Sequence, residues 1–218
     1  MTDESLFREV EEEIRQEEYK KLWDRYGTAF TALAVLIVLG VGGFEAWKYW
    51  QRQQSEQASV VYLDAARKAG DKTYDDALAA LAAVKQPGFG QLAKLTEASV
   101  LAEKGDAAKA LEIYKAFAAD PGSDRALADL ANIRAGYLQV DTATPDQLLP
   151  TLGQYDKDDN VWRHAAREIF GLAAYRIKDF AMADRYMNAL FADPETPDAM
   201  RQRAQAMIQL ITPELEAK

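Results

Sequence analysis

One histidine, His164, and no cysteine stand in the 218 residues of this chain. A site built on two histidines, or on thiolates, therefore cannot form from it. His164 falls in Trp162-Arg163-His164-Ala165 at an expected helix start, where a partly exposed structural role is the reading. The pairs Asp75-Asp76 and Asp158-Asp159 have the residue type for acid/base work or calcium ligation. They fall at helix starts or in a turn, where carboxylates offset the helix dipole. Serines are few, and neither a Gly-x-Ser-x-Gly elbow nor a phosphate-binding loop occurs. Gly40, Gly42 and Gly43 lie inside an apolar run and cannot cradle a phosphate. The residues thus give no catalytic group, no cofactor and no metal site, and the chain reads as a non-enzyme.

Charge narrows the binding classes. A net charge of −9 argues against nucleic acid, whose phosphates need clustered Lys and Arg. Protein partners and a lipid bilayer are left.

The bilayer is indicated by residues 26–44, which carry no charged side chain and are bracketed by Arg25 and Glu45. At about 1.5 Å per residue, such a helix covers the roughly 30 Å hydrocarbon core. Trp23 and Tyr26 at one end, and Trp47, Tyr49 and Trp50 at the other, read as two aromatic interfacial belts. A cleaved signal peptide fits badly, because the preceding segment is long and acidic and no small-x-small site follows. Arg8, Arg15, Lys20, Lys21 and Arg25 precede the span, against Lys48 and Arg52 after it. That bias predicts a cytoplasmic N-terminus and, in a Gram-negative cell, a periplasmic C-terminal region of a single-pass inner-membrane protein. Ahead of the span, Phe7, Val10 and Ile14 suggest a short amphipathic helix within an acidic tail.

Beyond the span the chain alternates helical runs with short breaks. Ala58, Val61, Tyr62 and Ala65 form a stripe ending at Ala69-Gly70-Asp71. A second run over residues 73–85 closes at Gln86-Pro87-Gly88. Further runs end at Lys104-Gly105-Asp106 and at Asp120-Pro121-Gly122. No strand-like alternation appears, so the class is all-α. Ala98-x-x-Leu101-x-x-x-Gly105-Asp106, with Ala110 and Tyr114 after it, recurs 73 residues later as Gly171-x-x-Ala174-x-x-x-Lys178-Asp179, with Ala183 and Met187. Both blocks finish at Asp-Pro. The small residue allows close helix approach, and a degenerate pair over residues 127–140 and 145–155 fills the interval. This pattern resembles the tetratricopeptide repeat, whose period is about 34 residues; a plain Ala-rich bundle is the alternative. The expected fold is one N-terminal transmembrane helix followed by a tetratricopeptide-like helical-hairpin solenoid. The expected domains are a cytoplasmic acidic tail over 1–25, the transmembrane helix over 26–44, a helical linker over 45–57 and the periplasmic repeat domain over 58–218.

Two segments carry a closer resemblance: Gly43-Phe44-Glu45-Ala46-Trp47-Lys48-Tyr49-Trp50 and Asn132-Ile133-Arg134-Ala135-Gly136-Tyr137-Leu138-Gln139. With the single span and the repeat pattern, they resemble the bacterial ancillary subunit family of the SecYEG translocon. That resemblance implies association with the Sec channel and with a membrane-anchored periplasmic chaperone of the peptidyl-prolyl isomerase type. The functional expectation is an envelope interaction scaffold linking translocon and chaperones; a self-associating structural repeat protein is the alternative. In repeat arrays the first helix of each hairpin lines the ligand-binding face. By the motif register, Leu95, Ser99 and Glu103 of one block and Glu168, Tyr175 and Arg176 of the other are the expected partner-binding residues.

Overall fold

The computed structural model describes the backbone of residues 3–86 and 88–216, and the side chains of Lys20, 23–86 and 88–216. The side chains of Phe7, Val10 and Ile14, and the whole of Pro87, lie outside the described residues. Among the described residues the chain is all-α. The helices are α1 (Asp3–Gly70), α2 (Tyr74–Ala82), α3 (Phe89–Lys104), α4 (Ala107–Ala119), α5 (Arg125–Gln139), α6 (Pro145–Leu152), α7 (Arg163–Arg176), α8 (Phe180–Ala192) and α9 (Asp198–Glu216). A single 3-10 turn, Gly153–Tyr155, follows α6. Two compact units meet between Glu56 and Gln57.

The first unit is the long early part of α1. Phe30, Leu36, Val38 and Leu39 are each about two-thirds exposed on it. Such a continuous apolar surface is unfavourable in water and suits lipid. This N-terminal helix is long and apolar enough to cross a membrane. Inside the apolar stretch, the Thr31 hydroxyl donates to the Gly27 carbonyl at 2.8 Å, which satisfies a polar group within the helix. Trp23, Tyr26, Trp47, Tyr49 and Trp50 are all exposed, and Lys48 pairs with Glu45 at 3.2 Å.

The second unit is a run of helical hairpins: the end of α1 with α2, then α3/α4, α5/α6 and α7/α8, with α9 closing the series. Turn chemistry sets each hairpin. Gly105 is left-handed (φ 101°), with its N–H on Ala102 O and the Asp106 N–H on Leu101 O. Those two bonds are the Schellman pattern that satisfies the last helical carbonyls. Lys178 repeats it at φ 63°, with its own N–H on Tyr175 O and the Asp179 N–H on Ala174 O. Asp106 and Asp179 then cap the following helices, accepting from Lys109 N and Met182 N at 3.1 and 3.0 Å. The first run ends where the sequence predicts, at Ala69-Gly70-Asp71. Gly70 ends α1, but the left-handed residue is Lys72 (φ 60°), which places Thr73 at the N-cap of α2 in the same register.

Four buried clusters are strung along the unit, each shared by one hairpin and the next first helix. Close approach depends on small residues. A Cβ on Gly136 would meet Leu152 Cδ1 at 2.7 Å, and one on Gly171 would meet Met187 Cε at 2.6 Å. The middle hairpin has its own devices. A capping box joins Thr144 and Gln147 at the start of α6, and Asn132 donates to the Tyr155 hydroxyl at 3.1 Å. The first helices stand in a row, with α3 against α5, α5 against α7 and α7 against α9. Nearest-neighbour packing of this kind is what makes a helical array extendable.

Candidate functional site

Among the described residues, two dents lie along the row of first helices. The first, of about 230 Å³, lies between α3 and α5 and is lined by Leu92, Leu95, Thr96, Ser99, Leu130 and Arg134, with Tyr62 and Tyr114 beside them. The second, of about 220 Å³, lies between α7 and α9 and is lined by Glu168, Leu172, Met187, Arg203, Ala206 and Met207. Hydroxyls furnish the first. Tyr62 OH and Thr96 Oγ1 are 3.1 Å apart, and burial raises the Tyr114 hydroxyl pKa. Arg134 is exposed and makes no ion pair or hydrogen bond among the described residues.

Across the second dent runs a three-helix polar link. The Tyr137 hydroxyl on α5 donates to Glu168 Oε2 at 2.6 Å, and Arg203 on α9 donates to both Glu168 oxygens at 2.7 and 3.0 Å. Burial, then the carboxylate beside it, pushes the Tyr137 hydroxyl well above the ordinary tyrosine range. Glu168 is buried, so its charge is tolerable only because these donors satisfy it.

The six sequence-predicted residues do not converge on one patch. Leu95 and Ser99 share the first dent, and Glu168 lines the second. Glu103 is exposed on the last turn of α3. Tyr175 sits edge-on to Phe180 at 5.7 Å. Arg176 donates to Val140 O and Ala143 O at 2.9 and 2.8 Å, tying α7 to the α5–α6 connection. Sequence reasoning missed Arg134 and Arg203. The first was visible only as part of a motif, and the second sits in the last helix, outside both matched blocks.

His164 is buried rather than partly exposed. Its Nε2 is 2.9 Å from Asp193 Oδ2, and Arg163 Nε donates to the same oxygen at 2.9 Å. The Arg163 guanidinium, with the Glu195 N–H on the other oxygen, holds the Asp193 carboxyl well below the usual range. His164 thus anchors the end of α8 to the start of α7. Asp75 pairs with Lys104, and Asp158 with Arg167. Among the described residues, no group of three or more His, Cys, Asp or Glu could hold a metal ion. Nothing here points to an enzyme.

A family model described as a tetratricopeptide repeat-like domain matches residues 20–209. No curated protein and no solved structure matches the chain.

Proposed function

The chain belongs to the tetratricopeptide repeat-like domain family, and on that premise we propose that it is a membrane-anchored interaction scaffold of the bacterial envelope, an accessory subunit linking the Sec translocon to periplasmic chaperones. One observation carries the reading: an exposed apolar helix leads directly into a row of hairpins with open dents between their first helices. Repeat rows of this kind serve as extended binding surfaces rather than as reaction centres.

The topology follows from the Lys and Arg bias around residues 26–44, which keeps the N-terminus cytoplasmic and residues 58–218 periplasmic. Trp23, Tyr26, Trp47, Tyr49 and Trp50 would then mark the two headgroup levels. The Sec channel and a membrane-anchored peptidyl-prolyl isomerase-type chaperone are the partners suggested by residues 43–50 and 132–139, the segments that resemble the translocon's ancillary subunits.

The chain has no cysteine, so single-cysteine labelling can test the topology without background. Ser55→Cys should react in intact cells with a thiol reagent that cannot cross the inner membrane, and Ser5→Cys should react only after lysis. The partner test is crosslinking of the tagged full chain in membranes, followed by identification of what co-purifies. Sec subunits and an isomerase are expected. Complexes holding only further copies of this chain would replace the adaptor with a self-associating structural protein.

A further inference from the structure

The 73-residue shift that carries Asp106 onto Asp179 also relates an ion-pair cluster in one block to a cavity in the other. At the start of α7, Arg163 Nε and His164 Nε2 both meet Asp193 Oδ2 at 2.9 Å. Arg163 also pairs with Glu195, and Arg167 pairs with Asp156 and Asp158. Shifted back, Arg163 becomes Gly90, His164 becomes Gln91 and Arg167 becomes Lys94. Asp193 becomes Asp120, and Glu195 becomes Gly122. Each of these counterparts lines a cavity of about 500 Å³ beside the α2–α3 and α4–α5 connections. It shares no lining residue with either dent.

The frame around the two places is the same. Gln91, standing for His164, also ties its helix to the next connection: Oε1 accepts from Asp124 N at 2.8 Å and Nε2 donates to Gly122 O at 3.1 Å. Asp120 Oδ1 accepts the Gly122 N–H at 2.9 Å, as Asp193 Oδ1 accepts the Glu195 N–H at 2.9 Å. The cation is what differs. Gly90 has no side chain where Arg163 has a guanidinium, and Asp120 makes no ion pair among the described residues. A Cβ on Gly90 would have its nearest contacts, Lys85 C and Val84 O, at 3.5 Å. That is ordinary van der Waals distance, so packing does not exclude a side chain there.

The acids differ as well. Asp156 and Asp158, the partners of Arg167, become Ala83 and Lys85. Lys85, Lys94 and Glu97 line the cavity and make no ion pair among the described residues. A ligand that completes the arrangement therefore brings a guanidinium for Asp120 and a carboxylate for the lysines. Buried Leu81 and Phe117 supply an apolar wall for the methylene stem of the incoming side chain.

We propose that this cavity is a socket for an arginine side chain of a partner protein, presented next to an aspartate or glutamate. The incoming guanidinium takes the place that Arg163 holds in the second block. This rests on the scaffold reading and adds to it a contact at the hairpin ends, away from the first-helix face.

The probe is a short fluorescent Gly/Ser peptide with one Asp-Arg pair, and its binding to the full chain in lipid nanodiscs is read by anisotropy. Citrulline in place of the arginine keeps the shape and removes the charge, and is expected to weaken binding at least about tenfold. Asp120→Asn should weaken the arginine peptide to the same degree. Gly90→Arg fills the socket from within and should abolish binding. It should also raise the unfolding midpoint, and Asp120→Asn in that background should remove most of the rise. That cycle tests the socket even where the peptide binds weakly. Equal binding of the arginine and citrulline peptides, or a gain from Gly90→Arg that Asp120→Asn leaves intact, overturns the proposal. Free arginine that competes as well as the peptide overturns the assignment to a protein. If no peptide binds while the crosslinked Sec partners are still recovered, this inference fails and the scaffold reading stands. If the peptide binds and no crosslinked partner is recovered, the socket stands and the translocon partners are dropped.

Discussion

Lys178 takes the left-handed backbone conformation (φ 63°) that Gly105 takes (φ 101°) at the matching turn 73 residues earlier. The flanking hydrogen bonds are the same in both, so the turn is demanded by the hairpin and not by the residue. A side chain in this conformation costs about 1–2 kcal/mol, and glycine returns part of that gain as unfolded-state entropy. Lys178→Gly is therefore expected to stabilise the protein by about 0.5 kcal/mol, and Gly105→Lys to destabilise it by about 1 kcal/mol. Thermal unfolding of the full chain in detergent micelles, followed by circular dichroism, measures both. A lowered midpoint for Lys178→Gly would show that the lysine side chain stabilises the turn in some other way.

Acid should loosen the joint between α7 and α8. The Asp193 carboxyl is held below its ordinary range in the folded protein, first by Arg163 and then by the Glu195 N–H. An unfolded aspartate protonates near pH 4, so this contribution to stability is complete above about pH 4 and drains away as pH falls below it. Asp193→Asn should lower the urea midpoint at pH 7 and should flatten its decline between about pH 4 and 2. Parallel declines for the two proteins would remove Asp193 from the account of acid sensitivity.

The contrast between these two sites explains what could be read in the sequence. Gly105-Asp106, Lys178-Asp179 and the two Asp-Pro endings were legible because turn and cap chemistry is local: each needs only a left-handed residue and a carboxylate in fixed order. The small residues Ala98 and Gly171 were legible through helical spacing. Lys72 was not singled out, because Thr73 and not an aspartate follows it, so the turn-and-cap pair does not recur there in the sequence. The link of Tyr137, Glu168 and Arg203 was out of reach for another reason. Its partners are 31 and 35 residues apart, on three helices, and periodicity reports which face a residue is on but not what stands opposite. The dents share that difficulty, since each needs the register of two neighbouring hairpins. Glu168 was singled out as a residue of the first-helix face, and its carboxylate is already occupied.

That occupancy makes a measurable statement about Glu168. Removing Arg203 leaves a buried carboxylate with the Tyr137 hydroxyl alone, so Arg203→Ala should cost roughly 1–3 kcal/mol. Replacing the whole link should cost far less, because an apolar substitute carries no desolvation penalty. The triple variant Tyr137→Phe, Glu168→Leu, Arg203→Ala puts at position 168 the residue type that stands at position 95. It is expected to return to within about 1 kcal/mol of the parent. If the triple variant is as unstable as Arg203→Ala, the link contributes stability beyond satisfying its own charge.

Gly171 tests the close approach on which the α7/α8 hairpin rests. An added Cβ would lie 2.6 Å from Met187 Cε and 3.2 Å from Tyr186 Cβ. The methionine tip can swing aside, but Tyr186 is less free: its Cβ is fixed to the backbone of α8, and its ring stacks on Phe170 at 5.4 Å. Alanine gains about 1 kcal/mol of helix propensity over glycine, whereas overpacking a core costs about 1–3 kcal/mol. Gly171→Ala should therefore be net destabilising by about 1 kcal/mol. The diagnostic is a double-mutant cycle with Met187→Ala, itself a cavity-forming loss of about 2–5 kcal/mol. With the methionine gone the new methyl has room, so the Gly171→Ala penalty should vanish or change sign in that background. Equal penalties in both backgrounds would show that the backbone of α8, through Tyr186, sets the distance between the helices and that Met187 merely fills the remaining space.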